Sequence, residues 1–151
     1  MKILLVKNLT VSLNKTEEKI IDHISFEVFD NEIIGIAGES GSGKSTLSLS
    51  ILGLLNSETF RVSGNVFYKG NDILAFSKKN REKLLGKEMT LVLQNPMTAF
   101  DPTVSVGKQM VETIKTVKNI NFSEARKISI ESLKRMNMKN EQDILMPFLF
   151  N

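Results

Sequence analysis

The sequence predicts a mixed α/β fold, and three observations predict it. Two short apolar runs, Glu32-Ile33-Ile34-Gly35-Ile36-Ala37 and Met89-Thr90-Leu91-Val92-Leu93, have the composition of buried strands. The first leads into a glycine-rich loop that is followed by helical periodicity. The last third of the chain carries two further segments of helical spacing. A β-rich start, a strand–loop–helix, more β structure and a helical end give the α/β class. With 151 residues, 41% hydrophobic and 25% charged, the chain has the makings of a globular core.

Taken in order, residues 3–13 read as an extended segment and 14–19 as a polar turn. Residues 20–28 read as a strand, with Ile24, Phe26 and Val28 on one side. Phe29-Asp30-Asn31 turns the chain into the first apolar run. Beyond the glycine-rich loop, residues 45–55 place Leu47, Ile51 and Leu54 or Leu55 at helical spacing. Residues 64–70 read as a small strand bounded by glycines. Ser77 is placed to cap a helix running through Leu85 and ended by Gly86. After the second apolar run, Gln94-Asn95-Pro96 must leave the sheet, because proline cannot continue a central strand. Residues 104–117 and 124–136 read as helices, the second capped by Ser123.

Composition excludes several classes. No run of 18 apolar residues is present, and the first six residues are too short for a signal-peptide core, so neither a spanning helix nor secretion is expected. The absence of cysteine removes disulfides and thiolate metal sites and fits a reducing cytosol. A single histidine, His23, leaves no basis for zinc chemistry; it reads as a surface or strand residue. A net charge of +3 is far from a nucleic-acid signature. The short cluster Lys78, Lys79, Arg81 and Lys83 reads as a solvated helix face.

Gly38-Glu39-Ser40-Gly41-Ser42-Gly43-Lys44-Ser45 matches the phosphate-binding P-loop pattern at every fixed position. Glycines let successive backbone N–H groups converge on one point, with no Cβ to block an approaching phosphate. The helix that follows turns its positive end to the same anion. Lys44 can reach β- and γ-phosphates, and the Ser45 hydroxyl can ligate Mg²⁺. A chance match in a chain this long occurs on the order of once in a few hundred sequences.

Glu39-Ser40-Gly41-Ser42-Gly43-Lys44-Ser45-Thr46 resembles the P-loop of ATP-binding cassette (ABC) transporter ATPases, especially the importer branch. A second block, from Gly86 through Gln94-Asn95-Pro96 to Asp101-Pro102, is similar to the Q-loop region of the peptide/nickel importer subfamily, and Val104-Ser105-Val106-Gly107-Lys108-Gln109 continues the likeness. Val62-Ser63-Gly64 through Leu74 resembles the antiparallel arm between the two motifs. The resemblance runs to about Ile144. Met146-Pro147-Phe148 looks like a remnant of the stretch that precedes the family's signature motif, which does not follow.

This resemblance implies a P-loop NTPase core with an antiparallel β arm and the start of a helical subdomain, an incomplete domain. Residues 1–76 would hold strands, P-loop and arm, 77–103 would run to the Q-loop, and 104–151 would begin the helical part. It implies ATP and Mg²⁺ as ligands. Residues 38–46 would bind nucleotide, Gln94 would act catalytically, and Ser45 and Gln94 would serve the metal. It implies transmembrane permease subunits, a second ATP-binding subunit and, indirectly, an extracytoplasmic substrate-binding protein as partners, with no nucleic acid. The location implied is the cytoplasmic face of the plasma membrane, with permease docking near Gln94 and the segment after Asp101. The expected role is ATP-coupled uptake of nickel or di- and oligopeptides. The alternative is a non-catalytic nucleotide- or permease-binding fragment; an unrelated P-loop kinase or GTPase is opposed by the Gln-Asn-Pro block. The family usually stacks an aromatic residue on adenine, and Leu13 stands where that ring would be. The family's Asp-Glu strand, signature and switch histidine are absent from these residues, so poor folding or association and background hydrolysis are expected of the isolated chain.

Overall fold

The computed structural model describes residues 1–138, and the chain divides into two compact units, Met1–Met89 and Thr90–Asn151. In the first unit β1 (Lys2–Leu13) and β2 (Lys19–Phe29) form a long hairpin. The Leu13 N–H donates to Glu18 O and the Glu17 N–H to Leu13 O, closing the polar turn that the sequence marks. β3 (Phe60–Tyr68) adds antiparallel to the other side of β1, and the short β4 (Asn71–Asp72) follows, giving the order β2-β1-β3-β4. The expected antiparallel arm is therefore present, with its longer strand starting four residues earlier than the glycine boundary suggests.

The ladder is not regular. Asn8 (φ 47°) and His23 (φ 53°) take left-handed backbone, and the β1–β2 register shifts between Val6 and Leu9 and again between Leu9 and Val11. Bulges of this kind re-aim side chains. Phe26 and Val28 remain half-buried as the alternation predicts, whereas Ile24, next to the bulge, is exposed. His23 lies at the surface with its ring against the Asp22 carboxylate.

One face of the sheet forms the core. Val6, Leu9, Val11 and Val66 are fully buried there. α1 (Lys44–Ile51) covers them with Leu47 and Ile51, four residues apart and so on one helix face. The helix stops at Ile51, short of the expected Leu55, and Leu54 is exposed. α2 (Lys78–Leu84) is capped by Ser77, whose hydroxyl accepts the Asn80 N–H, as expected. Its Arg81 does not belong to a solvated face. The guanidinium turns inward and donates to Gly53 O, Leu74 O and Phe76 O, tying the end of α1 to the segment after β4.

Neither apolar run forms a strand. Residues 32–37 lie outside every helix and strand, with Ile33 98% exposed; residues 90–93 do the same, with Val92 88% exposed. Only Met89 makes a bridge, to Leu85. This corrects the expectation of two buried strands. A run of parallel-sheet composition needs a hydrogen-bonded neighbour and a cover on each face, and among the described residues no strand pairs with either run.

The second unit holds a 3₁₀ turn (Pro96–Ala99), α3 (Val106–Lys118) and α4 (Phe122–Arg135). The two helices pack together through buried Val111 on α3 and Ala125, Ser129 and Leu133 on α4, a stripe of period four. Ser105 caps α3. α4 is capped by Asn121, not Ser123: the Asn121 side chain accepts the Glu124 N–H at 3.0 Å, which places Ser123 inside the first turn. Met146-Pro147-Phe148 lies outside the described residues.

Candidate nucleotide-phosphate site

The glycine-rich loop is anchored at its C-terminal end, where it meets β2 and α1. Gly41 (φ 83°) and Gly43 (φ 88°) take backbone conformations that side chains resist. A Cβ on Gly43 would stand 2.9 Å from Ile21 Cδ1 and 3.2 Å from Ile20 O, so the loop sits directly on the start of β2. A Cβ on Gly38 would stand 2.7 Å from Ser42 Oγ. Inside the loop the Ser42 N–H donates to Glu39 O, a turn that curls 39–42.

α1 begins at Lys44 with Gly43 as its N-cap and with no side-chain cap. The other three α-helices are each capped by a side chain, Ser77, Ser105 or Asn121. The first backbone donors of α1 thus point into the loop without an acceptor, and the helix dipole adds positive potential at the same place. Lys44 lies in this mouth. Its Nζ donates to Gly38 O (2.8 Å), Glu39 O (2.5 Å) and Ser42 Oγ (3.3 Å), all neutral oxygens. No carboxylate neutralises Lys44 among the described ion pairs. A cation, converging N–H groups and a helix N-terminus with neither cap nor counter-charge form a receptor for a polyanion.

Ser45 is exposed beside Lys44, and its hydroxyl has no intramolecular hydrogen bond among those described. A free hydroxyl at the mouth of a phosphate cradle fits Mg²⁺, which keeps several waters and takes few protein ligands. No cluster of three acidic, histidine or cysteine side chains exists among the described residues to form a metal site independent of phosphate. Thr46 follows as the third residue of the helix and is half-buried.

The structure thus gathers residues 38–46 into one loop and helix start. Gln94 belongs to the other unit. It is exposed in a bend after residues 90–93, which supply no strand to hold it. Beyond the 3₁₀ turn the chain is ordered by a residue that the sequence reading left without a role. The Gln109 carboxamide accepts the Asp101 N–H (3.0 Å) and donates to Asp101 O (2.9 Å) and Val104 O (2.7 Å). The Thr103 hydroxyl and then its N–H donate to the Asp101 carboxylate and hold its pKa below the ordinary value. No motif spacing announces such a clamp, because it depends on a helical side chain reaching back eight residues along the chain.

A glycine-rich phosphate cradle leading into an uncapped helix beside a sheet defines a protein of the P-loop class. The chain belongs to the ABC transporter family, which it matches over residues 21–146. It is 36% identical over 148 residues to the metal-staphylopine import system ATP-binding protein CntD of Staphylococcus aureus, covering 98% of this chain and 54% of that protein. It is 37% identical to the dipeptide transport ATP-binding protein DppD of Escherichia coli over 80% of this chain and 37% of that one. It is 31% identical to the oligopeptide transport ATP-binding protein AppD of Bacillus subtilis over 95% of this chain and 44% of that one. The chain spans about half the length, or less, of these curated relatives. Its fold is also that of CbiO1 from Clostridium perfringens, part of the ABC transporter complex CbiONQ. The TM-score is 0.66 and the identity 24%, over 97% of this chain and 54% of that one. No helix among the described residues is long and apolar enough to cross a membrane.

Proposed function

We propose that the chain forms the ATP-holding half of an ATP-binding subunit of an ABC importer for metal chelates, nickel or di- and oligopeptides. Residues 38–46 would hold the triphosphate, with Lys44 as the cation for the β- and γ-phosphates and Ser45 as a hydroxyl able to ligate Mg²⁺. Gln94 would be the catalytic residue, a carboxamide able to serve the metal or the attacking water. Residues 1–76, 77–103 and 104–151 serve as core and arm, connection to the Q-loop, and start of the helical part. The partners are permease subunits at the cytoplasmic face of the plasma membrane, a second ATP-binding subunit and, through the permease, a substrate-binding protein. Support comes from the relatives, whose names specify peptide and metal-staphylopine import. The observation that carries the reading is the uncapped, un-neutralised start of α1 around Lys44.

The second reading, a binder without turnover, is favoured by one observation. Among the described residues, those before Gln94 belong to no strand, so no β-ladder fixes the backbone that carries its carboxamide. The isolated chain therefore binds Mg·ATP and hydrolyses it at or near background. Calorimetric titration of the chain and of Lys44→Ala with Mg·ATP tests this. Binding should weaken at least tenfold in the variant while its circular dichroism stays unchanged. Equal affinity of the two proteins would sink the phosphate assignment, and steady turnover abolished by Lys44→Ala would sink the binder reading.

A further inference from the structure

We propose that the cavity framed by the end of α1, β3 and α2 binds a small organic carboxylate, held by the Arg81 guanidinium against an apolar wall. The site lies within residues 1–89 and does not depend on the phosphate-cradle reading.

Arg81 is a cation turned inward whose partners are all neutral. Its Nη1 donates to Gly53 O (3.0 Å), and its Nη2 donates to Leu74 O (3.1 Å) and Phe76 O (3.3 Å). Its Nε is the only buried side-chain nitrogen or oxygen among the described residues without a hydrogen-bond partner. Arg81 takes part in none of the ion pairs among the described residues. Carbonyl dipoles spread the charge of a guanidinium but do not cancel it, and an inward cation is ordinarily matched by an anion. A buried polar group left unpaired calls for an explanation, and a bound species is one. The fold makes room for this guanidinium. Gly53 takes φ 64°, and a Cβ there would stand 2.4 Å from Arg81 Nη1, so the turn after α1 accepts the side chain only because it is glycine.

Arg81 lines a cavity of about 280 Å³, room for roughly nine water-sized groups at about 30 Å³ each. Leu55, Phe60 and Leu74 form its apolar wall, and all three pack against the core, which holds them in place. Ser57 adds a hydroxyl, and no Asp or Glu lines the cavity. Around Arg81, α2 carries Lys78, Lys79 and Lys83 against one acid, Glu82, so the local field is positive. One inward cation and an apolar wall fit a monoanion with an apolar body. A carboxylate accepts charge-assisted hydrogen bonds from a guanidinium, while its ring or branched chain covers Phe60 and the two leucines. A phosphate dianion would leave part of its charge unmatched and set its remaining oxygens against carbon.

The test is an NMR titration of the full 151-residue chain, read at backbone amides, with benzoate, with neutral benzamide of the same shape and with inorganic phosphate. Benzoate is expected to shift the Gly53, Phe60 and Leu74 amides along saturating curves, with a dissociation constant in the millimolar range that suits so few atoms. Benzamide and phosphate should each bind about tenfold more weakly. Arg81→Met should bring benzoate down to the level of benzamide and leave benzamide unchanged. Equal affinity for benzoate and benzamide in the unaltered chain would overturn the proposal, and that comparison needs no variant to fold. Shifts that stay linear in benzoate, the result of a cavity that holds water alone, would overturn it too. Tighter binding of phosphate than of benzoate would reject the carboxylate class. Saturating shifts confined to residues 38–46 would put the anion in the glycine-rich loop instead, and undiminished benzoate binding by a folded Arg81→Met protein would remove Arg81 from the site; either result defeats the assignment.

Discussion

The hairpin β1–β2 and the two apolar runs at 32–37 and 90–93 are alike in composition and opposite in outcome. β1 is rich in Leu and Val, and it is fully ordered, with Val6, Leu9 and Val11 completely buried. Residues 33–36 are equally rich in isoleucine and remain exposed outside any strand. The difference is where the partner comes from. An antiparallel neighbour arrives after a short turn, here residues 14–18, so β1 brings its own ladder with it. A parallel neighbour must come from far along the chain through a crossover. Apolar composition sets the demand for burial, while pairing decides whether a strand exists.

Substitution on the two sides of this comparison should give the largest contrast. Leu9→Ala is expected to cost about 2–5 kcal/mol through lost burial and a cavity, whereas Ile33→Ser should stay within about 0.5 kcal/mol. Urea unfolding followed by circular dichroism reads both, and a loss above 1.5 kcal/mol for Ile33→Ser would show that the run is packed after all. Next in size is the joint between hairpin and cradle. Both Gly41→Ala and Gly43→Ala bear the backbone penalty of positive φ, about 1–2 kcal/mol. Only Gly43→Ala also drives a Cβ into Ile21, adding roughly 1–3 kcal/mol of overpacking. Equal losses for the two would mean that the loop does not rest on β2.

A smaller effect belongs to the second unit. Asn121→Ala should cost about 1 kcal/mol by uncapping α4, and Ser123→Ala close to nothing. Thermal melts with the opposite ranking would restore Ser123 as the cap. The smallest effect is electrostatic. Lys69, 2.7 Å from Glu88, lowers the Glu88 pKa, and Glu88 raises that of Lys69; both side chains are about half exposed. A depressed carboxylate contributes stability above its ordinary pKa and loses it as pH falls through the folded value. A raised lysine contributes below its ordinary pKa and loses it as pH rises through the folded value. Melting temperatures of the parent and Glu88→Gln should therefore differ slightly near neutrality and converge at both extremes of pH. A gap that persists in acid would assign the effect to packing.

Much of this was legible beforehand, for identifiable reasons. The P-loop could be read because backbone curvature and close phosphate approach admit few residue types at fixed spacing. Ser77 could be read as a cap because it stands alone ahead of a helical run. Asn121 and Ser123 are both good caps two residues apart, and local propensity does not choose between them. Arg81 looked solvated because its neighbours Lys78, Lys79 and Lys83 are charged; the three carbonyls it binds come together only in the fold. The same holds for Gln109, whose partners lie on a turn that its own bonds help to form.

The sequence by itself determined the class of the fold, the phosphate-binding loop and its cation, because these depend on residues adjacent in the chain and on backbone freedom at glycine. Only the tertiary structure decided that Gly43 rests on Ile20 and Ile21 and that the two most strand-like runs are not strands. Those outcomes depend on which distant segments meet. Pairing and packing energies are realised only between surfaces in contact, however apolar each segment is alone.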